Sequence, residues 1–366
     1  MTDRQQLLWL WLAGVLGFGA EHSGELLALY GDAEEVYRAR HSEDFSAVLS
    51  AKQVTRLQDD SRPPESYALI LGTCQRKSIR IITWADPDYP RSLRRLPDAP
   101  PVLYCTGQSA VLNRCPMLGM VGSRQPSAYG VRAAETLSGA LAKAGAVIVS
   151  GLADGLDGVA HQGALQAGGI TVGVLGCAID KTYPANHSRM RWQMEQQGAV
   201  LSEYPPGCRS YGSYFLQRNR LIAGLSDVLC VVEARKRSGT MSTVHHAQRY
   251  GREVYAVPGS VFDPVCEGTN QLLADGEAKP ANSAKALAGA LGLRAAAPKT
   301  AQKQPAPVTD PVQQTLLDAL AGGPAGLEAL SARTGLSAGQ VLAALTRLEL
   351  TGRVQALAGG RYGLRS

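Results

Sequence analysis

Between positions 203 and 220 the chain reads EYPPGCRSYGSYFLQRNR, in which cations and rings alternate: Arg209, Tyr211, Tyr214, Phe215, Arg218 and Arg220. A guanidinium pairs with phosphate oxygens through a planar fork, and a flat ring stacks on any base. One segment offering both suits an unpaired nucleic-acid strand, each stacked base contributing roughly 1–3 kcal/mol. The competing reading places Tyr214 and Phe215 in the core and leaves only the arginines in solvent, since most aromatic side chains are core residues.

Other segments carry the same chemistry. Gly122-Ser123-Arg124 follows an apolar run at 118–121 and precedes a helix expected from about Ser127. Backbone amides, a hydroxyl and a guanidinium at a helix amino end would cradle a phosphate; a strand–turn–helix corner with a solvated arginine would look the same. Arg235-Lys236-Arg237 follows the run 228–233 and leads into Ser238-Gly239-Thr240, which caps the next expected helix. Three cations there oppose the helix dipole, and either an anion or solvent relieves them. Two more glycine-rich segments, SGLADGLDG (150–158, opening with Ser150 and Gly151) and GCAIDKTYPANH (176–187, with Lys181), also follow apolar runs. Glycine lets backbone N–H groups approach an anion closely. One such loop is weak evidence, but four on one edge are hard to explain as turns.

Several chemistries are missing. There is no GxxxxGK[ST] phosphate loop, zinc-peptidase helix, nucleophile elbow or paired-carboxylate site. The dinucleotide pattern GxGxxG does not follow 118–121. Seven cysteines stand singly, without zinc spacing or an even count. His161 lies inside a helical stretch with no ligand-spaced neighbour, and adjacent His245 and His246 point to different helix sides. The expectation is a binding protein without catalytic residues, metal or cofactor.

The elements that must position these loops follow from length and pattern. The chain has 366 residues and a formal net charge of +6, too long for one ordinary domain and too mildly basic to name a partner. Residues 1–64 read as helices ending near a Pro63-Pro64 pair. In 65–293, apolar runs at 118–121, 146–149, 170–175, 199–202, 228–233 and 253–257 alternate with helical stretches such as 127–144 and 157–168. That alternation predicts an α/β fold with a mostly parallel sheet covered by helices on both faces. Residues 294–310, rich in Ala, Pro, Gln and Lys, read as a flexible linker. Residues 311–366 read as three helices (311–321, 326–334 and 337–351) and a hairpin around Gly359-Gly360, a winged-helix pattern. The apolar run 7–20 lacks the positive flank of a signal peptide, and no run reaches membrane-spanning length, so a cytoplasmic protein without membrane contact is expected.

Taken together, the middle segments resemble the DprA/Smf family of DNA-processing proteins. The resemblance runs from about Ile82 to Pro280: WADPDYPRSLRRLPDAPPVLYCTG, VGSRQPSAYG, SGLADGLDGVAHQGAL, YPANH, SEYPPG, FLQRNRLIAGLS, EARKRSGTMSTVHHAQRYGREVYAVPG and GTNQLL, in order. More loosely, 1–64 resembles the family's SAM-like, helix-hairpin-helix-like domain, and the tail its winged helix. The resemblance implies an extended Rossmann fold that binds single-stranded DNA without hydrolysing it. It also implies a homodimer through the Rossmann domain, and transfer of incoming strands to the RecA recombinase during natural transformation, displacing single-strand-binding protein. Carried over by position, Arg124 would bind phosphate, Arg209 and Phe215 would clasp and stack the strand, and Arg235, Lys236, Arg237, Ser238, Gly239 and Thr240 would line the groove. Arg218, Asn219 and Arg220 match an RNR motif, with DNA contact and bracing both open. Many relatives carry a lysine after YP where this chain has Ala185; Lys181 or Arg189 would supply that charge. The dimer surface is expected within 241–278. The tail would meet duplex DNA or a protein, and its third helix offers only Arg347 as a cation.

A phosphoribohydrolase of the lysine-decarboxylase-like family shares a related plan and needs a glutamate in a PGGxGTxxE pattern. The matching stretch RSGTMST puts Thr243 there, which removes the acid/base group while keeping a phosphate-binding shape.

Overall fold

The structure, a computed structural model, describes residues 1–114, 116–293, 310–350, 353–357 and 360–364. The chain forms two compact units, Met1–Ala295 and Ala296–Ser366. The expected linker lies outside the described residues except for Asp310, as does Gly359 of the expected hairpin.

The first unit opens with five helices: α1 (Asp3–Leu16), α2 (Ser23–Tyr30), α3 (Ala33–Ala39), α4 (Ala51–Leu57) and α5 (Ala68–Arg76). Capping boxes start two of them, Thr2 with Gln5 and Ser50 with Gln53, each pairing amide donors that the helix leaves free. The apolar residues of α1 are buried on several sides, Trp9 and Trp11 included, so α1 is a core helix. Its cluster includes Tyr104, Leu175 and Val200 of the sheet. One core therefore runs beneath both segments that the sequence separates at Pro63-Pro64.

The sheet follows, as β1 (Arg80–Thr83), α6 (Arg91–Arg94), β2 (Val102–Gly107), β3 (Met117–Val121), α7 (Ala128–Lys143), β4 (Val147–Ser150), α8 (Leu156–Gln166), β5 (Thr171–Leu175), α9 (Ser188–Gln197) and β6 (Ala199–Ser202). It continues with α10 (Gly212–Leu225), β7 (Val228–Val231), α11 (Gly239–Arg249), β8 (Glu253–Ala256), α12 (Glu267–Ala274), β9 (Lys279–Pro280) and α13 (Ala284–Ala290). The nine strands lie in the order β1-β2-β6-β5-β4-β3-β7-β8-β9. From β6 to β9 every neighbour is parallel; β1–β2 and β2–β6 are antiparallel. Strands β3, β4, β5 and β7 are buried along their whole length, as sheets covered on both faces require. The chain leaves β3 first toward β4 and returns only later to β7 on the other side. The crevice outside the carboxyl ends of β3 and β7 is thus a topological switch point, where open α/β sheets bind ligands.

The second unit holds α14 (Pro311–Ala321), β10 (Ala325–Gly326), α15 (Leu327–Thr334), α16 (Ala338–Leu350), β11 (Val354–Leu357) and β12 (Arg361–Leu364). Three helices and a three-stranded ribbon close on Leu316, Leu330, Val341 and Leu345, giving a winged helix.

Candidate nucleic-acid interface

The loops after β3 and β7 meet over the switch point. Thr240 Oγ1 donates to Gly122 O at 3.2 Å and ties one to the other. Between them lies a cavity of 410 Å³, lined among others by Ser123, Arg124, Phe215, Arg218, Asn219 and Arg235. Arg124 is exposed, and its guanidinium carbon stands 5.8 Å from the Phe215 ring centroid. Phe215 is half-buried because its first turn of α10 packs on the loop after β5: a Cβ at Gly176 would come within 3.0 Å of the ring's Cγ. Tyr183 completes this group, half exposed and 5.2 Å from Phe215, centroid to centroid. A cation and two rings thus stand together at the mouth. The competing reading, with Tyr214 and Phe215 in the core and only the arginines in solvent, does not hold: both rings are half-buried, Arg218 and Arg220 are buried, and Tyr211 is 49% exposed with Arg209 above it at 5.6 Å.

One expectation about this cradle is corrected. The amino end of α7 is not open to a phosphate, because Glu233 already occupies it. Ser127 N donates to one Glu233 oxygen at 3.0 Å and Ser127 Oγ to the other. Glu233 is wholly buried, and it satisfies the helix dipole with a protein carboxylate. None of Gly155 before α8, Tyr211 before α10 and Ser238 before α11 makes a side-chain capping bond. Ser238 Oγ is shielded from solvent and has no partner, while Ser238, Gly239 and Thr240 all line the cavity. Arg235, Lys236 and Arg237 are exposed beside them. Among the described residues, Arg124, Arg209, Arg235, Lys236 and Arg237 have no carboxylate ion-pair partner.

The remaining candidates divide. Arg218 lines the floor but is 3% exposed; it donates to Gly151 O at 2.5 Å and to Val174 O. Burial lowers its pKa and neighbouring Asp157 opposes that shift. Asn219 also faces the floor, with its amide engaged by Gly239 O and Ser242 Oγ. Arg220 does not reach the cavity. Its guanidinium holds both Glu203 oxygens at 2.6 Å and Asp98 O at 2.8 Å, all buried, so of the RNR motif it is a brace. Against the pull of burial, Glu203 and Asp98 raise its pKa. Ser150 and Gly151 are buried as well: Ser150 Oγ donates to Met120 O at 2.6 Å, and Gly151 N to Asp157 Oδ2 at 3.1 Å. They hold the floor together and are not presented at the mouth. Lys181 is exposed at the loop carrying Arg209, its Nζ 3.4 Å from Cys208 O. Arg189 lines a different cavity, with His187 and Gln193, so of the two replacements for the lysine missing at Ala185 only Lys181 adjoins the clamp loop.

Asp157, Glu233 and Tyr183 were not singled out in the sequence. Asp157 lies in the quoted SGLADGLDG segment and faces the floor, its pKa raised by burial with Arg218 opposing. Tyr183 carried the signal of its place in the glycine-rich loop and in the quoted YPANH motif. Glu233 opens the quoted EARKRSGT motif, but its pairing with Ser127, 106 positions away, left no local trace.

The family model described as DNA recombination-mediator protein A matches residues 80–292, and the DprA winged helix domain matches 299–360. Protein Smf of Synechocystis is 32% identical, with 99% of each chain covered. The chain belongs to the DprA/Smf family. Among solved DprA/Smf structures, the X-ray structure of DNA processing protein A from Streptococcus pneumoniae matches with a TM-score of 0.64 at 29% identity, covering 79% of this chain and 98% of that one. DNA processing protein A from Helicobacter pylori matches with a TM-score of 0.54 at 33% identity, over 58% of this chain and 95% of that one. That second structure is described as showing a single-stranded DNA binding mode. The matched span of 80–292 contains every loop that forms the crevice.

Proposed function

We propose that the chain binds single-stranded DNA along the crevice between the β3 and β7 loops and does not hydrolyse it. The observation that carries this reading is the mouth itself: unpaired Arg124 stands over Phe215, which meets Tyr183, unpaired Arg235 lines the same cavity, and α10 and α11 start there without side-chain caps. Phosphates would sit against the cations and free amides while bases stack on the rings, a combination that tolerates any sequence. The single-strand mode described for the Helicobacter pylori relative supports it. From family membership we further infer a cytoplasmic homodimer, joined through the sheet domain. It would load RecA onto incoming strands in natural transformation and displace single-strand-binding protein. The winged helix would serve duplex DNA or a protein partner.

Titrating a labelled oligothymidylate at several salt concentrations tests the binding mode. Log affinity is expected to fall with log salt at roughly −0.7 per phosphate contacted; a flat response would leave the cations without a role. The hydrolase reading has one specific weakness. Thr243 lines the cavity at the place of that family's glutamate, and the carboxylate that does line it, Asp157, is buried and accepts from Gly151 N. Incubation with nucleoside monophosphates is expected to release no free base, and measurable release would restore that reading.

A further inference from the structure

The turn between α1 and α2 is held against the back of the clamp. Gly19 N donates to Glu203 Oε1 at 3.2 Å, and Glu203 in turn grips Arg220 of α10. Gly19 has φ +67° and its missing Cβ would stand 3.6 Å from Gln217 of the same helix, so the backbone itself closes on α10. Behind it, Ser23 Oγ donates to Ala99 O at 2.8 Å and Gly24 N to Pro97 O at 2.8 Å. The turn is thus fixed at both ends.

Phe18, the residue before Gly19, meets Tyr204 edge-on at 4.8 Å and Tyr214 at 5.5 Å. Tyr204 and Tyr214 are stacked 4.3 Å apart, Tyr214 meets Tyr211 at 5.3 Å, and Arg209 stands over Tyr211. An unbroken run of rings therefore leads from the amino-terminal turn to the exposed cation of the 205–211 loop. Edge-to-face pairs have directional preferences, so the innermost ring limits where the outer ones can sit.

We propose that Phe18 is a positioning residue for single-strand binding: it sets the Tyr214–Tyr211–Arg209 arm of the clamp without touching DNA. This rests on the proposed single-strand reading. Phe215, the next residue of α10, packs on Gly176 and meets Tyr183, outside this run of rings. The amino-terminal turn thereby acts on binding through the clamp, its Gly19 amide being engaged by Glu203.

Affinity for labelled oligothymidylate tests this in a mutant cycle, with thermal melting to verify folding. Phe18→Ala is expected to weaken binding about fivefold to tenfold in the wild-type and Phe215→Ala backgrounds, the scale of one stacked base. In the Tyr211→Ala background the same change is expected to have an effect below about twofold, because the arm it positions is already lost. Phe18→Leu keeps most of the apolar volume without the ring edge and is expected to repeat the pattern, which covers the case of a misfolded alanine variant. An equal loss in all three backgrounds, or no loss in any, overturns the proposal. Failure of the wild type to bind would overturn the underlying reading, and this inference with it.

Discussion

At the scale of single residues, polar side chains here divide into those engaged by the protein and those left for a ligand. Arg220 and Arg124 have the same chemistry and opposite situations: one is clamped by two buried oxygens, the other lacks a carboxylate partner. Sequence cannot separate them, because the division depends on whether Glu203 is opposite. His161 shows the engaged class at its extreme. Its Nδ1 donates to Thr171 Oγ1 at 2.6 Å, and that hydroxyl donates onward to Ile148 O, so Nε2 is the unprotonated nitrogen and has no partner. Burial, with help from His187 and Arg218, pushes its pKa down from 6.5 to about 3. The unfolded chain then takes up a proton that the folded chain refuses. The stability His161 contributes is present above pH 6.5 and lost as pH falls toward 3, at about 1.4 kcal/mol per pH unit. Melting temperatures of the wild type and His161→Gln should accordingly converge between pH 7 and pH 4; a constant gap would contradict this.

At the scale of elements, the anion-binding capacity of a helix end depends on what caps it. Glu233 closes α7 from the end of β7, whereas α8, α10 and α11 start without a side-chain cap. Removing it in Glu233→Ala would free the partly buried Ser127 N and Oγ, lowering stability by roughly 1.5–3 kcal/mol, as for loss of a hydrogen bond to a charged group. Denaturant unfolding measures this, and a change under about 0.5 kcal/mol would show the cap to be idle. The strands themselves were legible: β3, β5, β6 and β8 fall within a residue of the apolar runs, since unbroken buried strands leave a plain record in composition. The α7 cradle was misread because local sequence shows a serine at a helix start and cannot show a carboxylate 106 positions away. The same reason hid the burial of Ser150 and Gly151, whose partners Met120 and Arg218 come from other elements.

At the scale of the whole molecule, the order of strands gathers dispersed motifs. Segments starting at 122, 150, 176 and 233 adjoin only because β4, β5 and β7 all lie within two places of β3 in the sheet. The family motifs predicted that gathering, while the shared core between α1 and the sheet was not visible at the proline pair. The net charge of +6 says little by itself; what gives it direction is that unpaired cations collect at one rim while Arg218 is buried on backbone carbonyls and Arg220 is paired with Glu203 inside.

On the proposed function, this rim holds a single strand through Arg124. The most direct measurement is the affinity of Arg124→Glu for a labelled oligothymidylate, beside the wild type, with circular dichroism recorded on both. Arg124 is exposed and makes no structural hydrogen bond, so unchanged dichroism and a near-complete loss of binding are expected. Wild-type affinity in the folded variant would contradict the account.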